Sequence, residues 1–329
     1  MASLVNILEA GEERELASEY LDKLRTSHER TPTVKERARE VIERLKVSGN
    51  RTAQLVGLVL DADRARFYEG NFAAAVDSFA RAREGLENLA DEIAREVLAI
   101  NIEGEETIGQ DLANGDGAKA LECALRCYTH IEKATPQVKA VLGNYMGRAE
   151  HNVSLLLSLS DRPEDRERGY GMAMILKEHA GKLEARSEYL PAWNNWGTAM
   201  YAHKGAGEYE KAKECINAMR RLSGLTKDRA LLQSTLFFAM GVEAMGFVKE
   251  PEKLIAAYRE WREVWQQPEV ETIERYAASF RELETLKRAM PLVEKYFSDN
   301  GLTGAAIEAR RIIGIANDKL QRMGKTDKL

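Results

Sequence analysis

Breaks in the helical patterning of this chain recur at roughly 42–46 residues, a spacing that marks stacked supersecondary units and constrains the fold more than any other feature. They fall at Gly70, at Asn114-Gly115-Asp116-Gly117, at Asp161-Arg162-Pro163, at Gly205-Ala206-Gly207 and at Gly246–Pro251. On either side of the first break, apolar residues return at three- and four-residue steps: Leu55, Val56, Val59, Ala62 and Phe67, then Phe72, Ala75, Val76, Phe79, Ala82 and Leu86. A glycine between two such runs can take the left-handed conformation that stops one helix and reverses the chain. Seven prolines are few enough for long helices. A lone hairpin of two such helices leaves an apolar face bare, so stability must come from stacking on neighbours.

The best-formed unit reads Pro-Ala-Trp-Asn-Asn-Trp-Gly-Thr-Ala-Met-Tyr from Pro191 and continues past the turn with Tyr209, Ala212, Ile216 and Met219. It resembles the tetratricopeptide repeat: Trp193 and Trp196-Gly197 stand at the first aromatic and the Leu-Gly pair, Tyr209 and Ala212 at the second-helix aromatic and small residue. Gly70, Phe72, Ala75, Phe79 and Ala82 match the second half of the motif, and Gly115, Ala120 and Ala124 match it loosely. The period exceeds the motif's own, so longer helices are expected. The resemblance implies an all-α fold, an α-solenoid of tetratricopeptide-like hairpins wound as a right-handed superhelix. Residues 1–49 are expected to form an N-terminal cap or irregular first repeat, with a short helix, then Glu12–Ser27 and Val34–Val47. Residues 50–267 hold the hairpins. Residues 268–329 hold two closing helices, Pro268–Phe297 and Gly304–Met323.

A net charge of -5 argues against nucleic acid as partner. The charge is uneven, with eight acids against Arg95 between Asp91 and Asp116. Such a run reads as solvated helix faces or as a patch steering a basic partner. No stretch approaches the roughly 18 apolar residues that cross a bilayer, and no leader follows Met1, so a cytoplasmic, membrane-free chain is expected. Three cysteines make no disulfide framework. The sequons Asn50-Arg51-Thr52 and Asn152-Val153-Ser154 are then chance matches.

Catalytic signatures are missing: no Walker loop, no dinucleotide fingerprint, no His-Glu-x-x-His and no Gly-x-Ser-x-Gly. Gly169-Tyr170-Gly171 lacks a preceding strand. Cys123, Cys127 and His130 share a helix face with zinc-like donors, but a fourth ligand is not evident and small-residue packing serves them equally. Glu105-Glu106 lacks the burial an acid–base pair needs and is expected to be solvated. Tyr258, Trp261 and Trp265 read as interface anchors or as buried packing. Trp193 and Trp196 are placed in the core by the motif. The expectation is a protein that is no enzyme and needs neither cofactor nor metal.

The resemblance implies that the first helix of each hairpin lines a concave groove that takes peptides. Counted back from each turn, the groove-facing candidates are Arg64 and Tyr68, then Glu105, then Asn144, Arg148, His151 and Ser154, then Asn194, Thr198 and Tyr201. The third set lies on an expected helix Gln137–Leu159, opposite an apolar side of Val138, Leu142, Tyr145, Ala149 and Val153. The lysines that accompany a carboxylate clamp in some family members are out of register with Asn194 and Asn195. Two roles follow: an adaptor or scaffold gripping a protein or peptide, or a peptide-sensing regulator whose N-terminal helices carry an effector activity.

Overall fold

The computed structural model describes residues 3–24, 32–69, 72–114, 117–143, 145–227, 229–246, 251–264 and 280–322. It is all α-helix, with no strand among the described residues. The chain divides into two compact units, Met1–Val153 and Ser154–Leu329.

In unit 1, helices α1 (Ser3–Asn6), α2 (Glu12–Ser18, running on into a wider π turn, Glu19–Leu24) and α3 (Pro32–Lys46) precede two long hairpins. These are α4 (Arg51–Glu69) with α5 (Phe72–Leu86), and α6 (Glu92–Asn114) with α7 (Gly117–Lys133). The short α8 (Pro136–Leu142) and then α9 (Tyr145–Ser158) follow, the last turn of α9 belonging to unit 2. Unit 2 continues with α10 (Pro163–Ala185), α11 (Tyr189–Gly205), α12 (Tyr209–Thr226), α13 (Arg229–Gly246), α14 (Pro251–Val264), α15 (Phe280–Asp299) and α16 (Thr303–Arg322). Consecutive helices pack as antiparallel neighbours: α10 with α11, α11 with α12, α13 with α14, α15 with α16. The expected breaks at Asp161-Arg162-Pro163 and Gly205-Ala206-Gly207 fall between helices, whereas Gly70, Gly115-Asp116 and residues 247–250 lie outside the described residues; the long period reflects helices of up to 23 residues.

The helices form because their apolar residues share one side. On α7 the buried set is Ala120, Cys123, Ala124, Cys127 and Ile131; on α12 it is Ala212, Cys215, Ile216, Met219 and Leu222. Each large apolar side chain so buried contributes about 1.5–3 kcal/mol. Val76, expected on such a stripe, is exposed instead. One apolar cluster runs from Leu4 through Ile42 and Phe79 to Ile102, so α1–α3 share a core with the first hairpins. A second fills unit 2 from Ala199 to Leu320 and holds Tyr258 and Trp261, for which burial is the outcome. Trp265 lies outside the described residues.

Local chemistry sets the ends. Asn50 Oδ1 accepts from the backbone N–H of Thr52 at 2.9 Å, so the asparagine of that sequon caps α4. Thr135 caps α8 in the same way, with Pro136 in the first turn. In unit 2, α10, α11 and α15 share one stop. The N–H groups of Glu188, Glu208 and Leu302 reach back to the carbonyls of Leu183, His203 and Phe297, with Ser187, Gly207 and Gly301 at positive φ between.

Two expectations need correction. The single helix Gln137–Leu159 is broken at Gly143, whose φ of 57° ends α8. Trp193 and Trp196 are only half-buried, packed against an apolar cluster of Ala180, Ala192 and Leu222, and each indole N–H donates to an acceptor, the buried Thr235 Oγ1 at 3.0 Å and Glu184 Oε1 at 2.7 Å. The Gly169 that lacked a role lets α10 meet the end of α9, since a Cβ there would sit 2.4 Å from the Ser158 backbone nitrogen.

Candidate functional site

Unit 1 places its acidic run against cations from neighbouring helices. Glu105 on α6 is fully buried and paired with Arg148 of α9, whose guanidinium also lies over the Tyr145 ring at 5.5 Å. Burial disfavours the Arg148 cation, but the Glu105 carboxylate outweighs that and holds its pKa above the ordinary value. Glu106 receives Arg83 at 2.5 Å and Arg126 at 3.4 Å; Glu103 receives His130 at 3.1 Å and Arg126 at 3.6 Å. The expected solvation of Glu105-Glu106 is therefore overturned. The partners lie on α5, α7 and α9, and a desolvated carboxylate is tolerated only with such pairing. Asp91 is spent on the N-terminus of α6, accepting from Ala94 N–H at 3.0 Å.

The cysteine cluster is packing. Cys123 and Cys127 are buried, and the Cys127 thiol donates to the Ile100 carbonyl at 3.5 Å while His130 turns to Glu103. Burial first, then the Glu103 charge, pushes Cys127 up to about 12; burial raises Cys123 and takes Cys215 up to about 11. Among the described residues no group of three or more His, Cys, Asp or Glu side chains could hold a metal ion.

The candidate residues divide as follows. In unit 1, Arg64 bonds Asp61 at 3.0 Å, and Glu105 and Arg148 meet. His151 is half-buried on α9. The side chain of Tyr68 and the whole of Asn144 lie outside the described residues. In unit 2, Ser154 is fully buried and its hydroxyl donates to the Gly169 carbonyl at 3.2 Å, binding α9 to α10. Thr198 is also fully buried and donates back to the Asn194 carbonyl at 3.2 Å. Asn194 and Tyr201 stay half-exposed on α11. Tyr201 stands edge-on to Phe238 with centroids 5.6 Å apart, and Lys204 Nζ lies 4.7 Å from the Tyr201 ring centroid.

That tyrosine borders a cleft that sequence reasoning missed. It is lined by Leu159 after α9, by Tyr201, Lys204 and Gly205 of α11, by Gly241, Ala244 and Met245 of α13, and by Thr285 and Arg288 of α15. The stripe Asn194, Thr198, Tyr201 extends by helical spacing to Lys204 and so could have named it; Arg288, two hairpins away, carries no such signal.

A second polar cluster lies under the turn closing α11. The stop that positions Glu208 aims its carboxylate at His203: His203 Nδ1–H donates to Glu208 Oε2 at 2.7 Å, and Tyr170 O–H donates to the same oxygen at 2.7 Å. Lys177 Nζ donates to His203 Nε2 at 3.3 Å. Hydrogen bonds from Lys211, Tyr170 and His203 hold Glu208 down at about 2, while burial first and the Lys177 charge lower His203.

No family model matches this chain, and no curated relative matches it. Among solved structures it is similar to a Rap protein complexed with competence and sporulation factor, at 15% identity and a TM-score of 0.56. The likeness covers 97% of this chain and 90% of that one. The fold is a helical repeat. Its shared architecture extends to the N-terminal helices as well as the hairpins. No described helix is long and apolar enough to cross a membrane.

Proposed function

We propose that this chain is a non-catalytic binding protein of the tetratricopeptide-like kind, taking a peptide or an extended protein segment on its first-helix face in a reducing, cytoplasmic setting. One contrast in unit 2 carries the reading. The second helices are tied to one another by ion pairs, Arg221–Glu184 at 2.6 Å, Arg220–Glu260 at 2.8 Å and Arg262–Glu308. The first helices α11, α13 and α15 instead open a cleft bordered by the half-exposed Tyr201, with Asn194 half-exposed two turns earlier on α11. Hydrogen-bonding side chains next to an aromatic wall suit a backbone laid across the helices. The similar Rap protein is likewise found in complex with a factor, which agrees with a binding role for the fold.

The test is affinity-selection mass spectrometry of the whole chain against the small-peptide fraction of its own host. Specific peptides should be retained by the wild type and lost from Asn194→Ala/Tyr201→Ala. Retention of nothing, or retention indifferent to both substitutions, would remove the reading.

The adaptor role and the regulator role differ in what α1–α3 do. Because Ile42, Val41 and Leu45 lie in the same core as Leu55 and Phe79, deletion of residues 1–49 would unfold unit 1. Charge reversals on the exposed side of α3, at Arg39 and Glu43, separate the roles cleanly. They abolish an effector activity but leave peptide retention unchanged if α3 carries one.

A further inference from the structure

The cleft beside Tyr201 is small, cationic and partly apolar, and those three properties together specify a guest. Its volume is about 180 Å³. An apolar cavity of about 150 Å³ holds a benzene-sized molecule, whereas sites for whole drug-sized ligands run to about 300–1,000 Å³. The volume suits one side chain, and the cleft opens to solvent on its outer side. The lining holds Lys204 and Arg288 and no carboxylate. Arg288 is exposed, and its described hydrogen bond runs from Nη1 to the Met245 thioether at 3.9 Å, a weak acceptor. Among the described residues it has no carboxylate partner. Leu159, Ala244, Met245 and the Tyr201 ring supply the apolar walls. Gly241 keeps α13 against α15, for a Cβ there would stand 3.0 Å from Thr285 Cγ2. Any added side chain would also fill the floor.

We propose that this cleft seats the C-terminal residue of a bound peptide, with an apolar side chain between Leu159, Ala244 and Met245 and the free carboxylate on Arg288 and Lys204. The proposal rests on the peptide-binding reading and adds its direction and terminal chemistry. A guanidinium offers two parallel N–H donors that match a carboxylate, and Lys204 adds a point charge. The combination of apolar wall and adjacent cations distinguishes a chain terminus from an aspartate or glutamate side chain, which brings a carboxylate but little apolar surface.

The experiment uses two synthetic random pentapeptide libraries, identical except for a free C-terminal acid or a C-terminal amide, presented to the full chain and to Arg288→Glu and Arg288→Lys. Arg288 is at the surface, so circular dichroism should show unchanged helix content in both variants. Wild type should retain the acid library at least tenfold over the amide, with Leu, Ile, Met or Phe enriched at the last position. Arg288→Glu should erase that preference and Arg288→Lys should keep part of it. Equal retention of both libraries, unaffected by Arg288→Glu, would overturn the inference while peptide binding stands. Equal retention that Arg288→Glu removes, with Asp or Glu enriched inside the peptides, overturns the terminal assignment in favour of a side-chain carboxylate. Retention of neither library overturns the peptide reading itself and this inference with it.

Discussion

In unit 1, His130 leans on Glu103 from α7 with about a third of its side chain exposed; in unit 2, His203 is almost wholly covered, with Glu208 on one ring nitrogen and Lys177 on the other. The same pair of residue types is thereby driven in opposite directions. The hydrogen bond to Glu103 raises His130 above its ordinary value of 6.5, whereas burial and then Lys177 lower His203 below it. A carboxylate partner alone does not fix the charge of a histidine. What decides is how much water is lost and whether a cation already occupies the far nitrogen. The acidic run of α6 in unit 1 thus sits in full ion pairs, whereas the His203 cluster of unit 2 holds a neutral ring inside a polar network.

The sharpest test of that contrast is Arg148→Met. It leaves the Glu105 carboxylate buried without its guanidinium and should cost unit 1 about 3 kcal/mol in urea unfolding. Glu105→Gln/Arg148→Met, which removes both charges, should recover more than half of the loss. A double variant as unstable as the single would show that the arginine stem, not the charge, matters.

A smaller effect is expected at His203. Its folded pKa lies below the unfolded one, so the unfolded chain binds the proton more tightly. The stability it supports is complete above pH of about 6.5 and falls as pH drops below that. Unit 2 should therefore lose denaturation midpoint between pH 7 and pH 5, and His203→Gln should flatten that slope. Below pH of about 4.5 Glu208, held at about 2, adds a further loss of the same sign.

The smallest effect belongs to His130, where the sign reverses. A raised folded pKa means that its contribution is complete below about pH 6.5 and is lost as pH rises through the folded value. His130→Gln should abolish a slight gain of unit 1 on acidification. Parallel slopes for the two histidine variants would break the comparison.

Much of the fold was legible because helix stops are local. Gly205-Ala206-Gly207 announces a turn from three adjacent residues, and the stripe Ala212, Ile216, Met219 lies on one short helix. Gly143 went unread because the apolar spacing on either side of it stays in register through the break. Burial of Glu105 was illegible for a different reason. Its partner is 43 residues away, and the run of acids around it points to solvent until Arg148 is in place. Ser154 and Thr198 were chosen by helical face alone, but a face opposite one apolar stripe can be covered by another helix, as α10 covers Ser154. The cleft went unread for a further reason: Lys204 continues the Tyr201 stripe, but Arg288 joins it only through the stacking of α15 on α13.

The burial of all three cysteines has a practical side. Thiols at 0–5% exposure, protonated at neutral pH, offer almost no thiolate to an alkylating reagent. A single cysteine introduced at an open position such as Ile175, 57% exposed, would react alone. The wild-type chain is thus a ready background for attaching one maleimide dye or spin label wherever guest capture is to be followed.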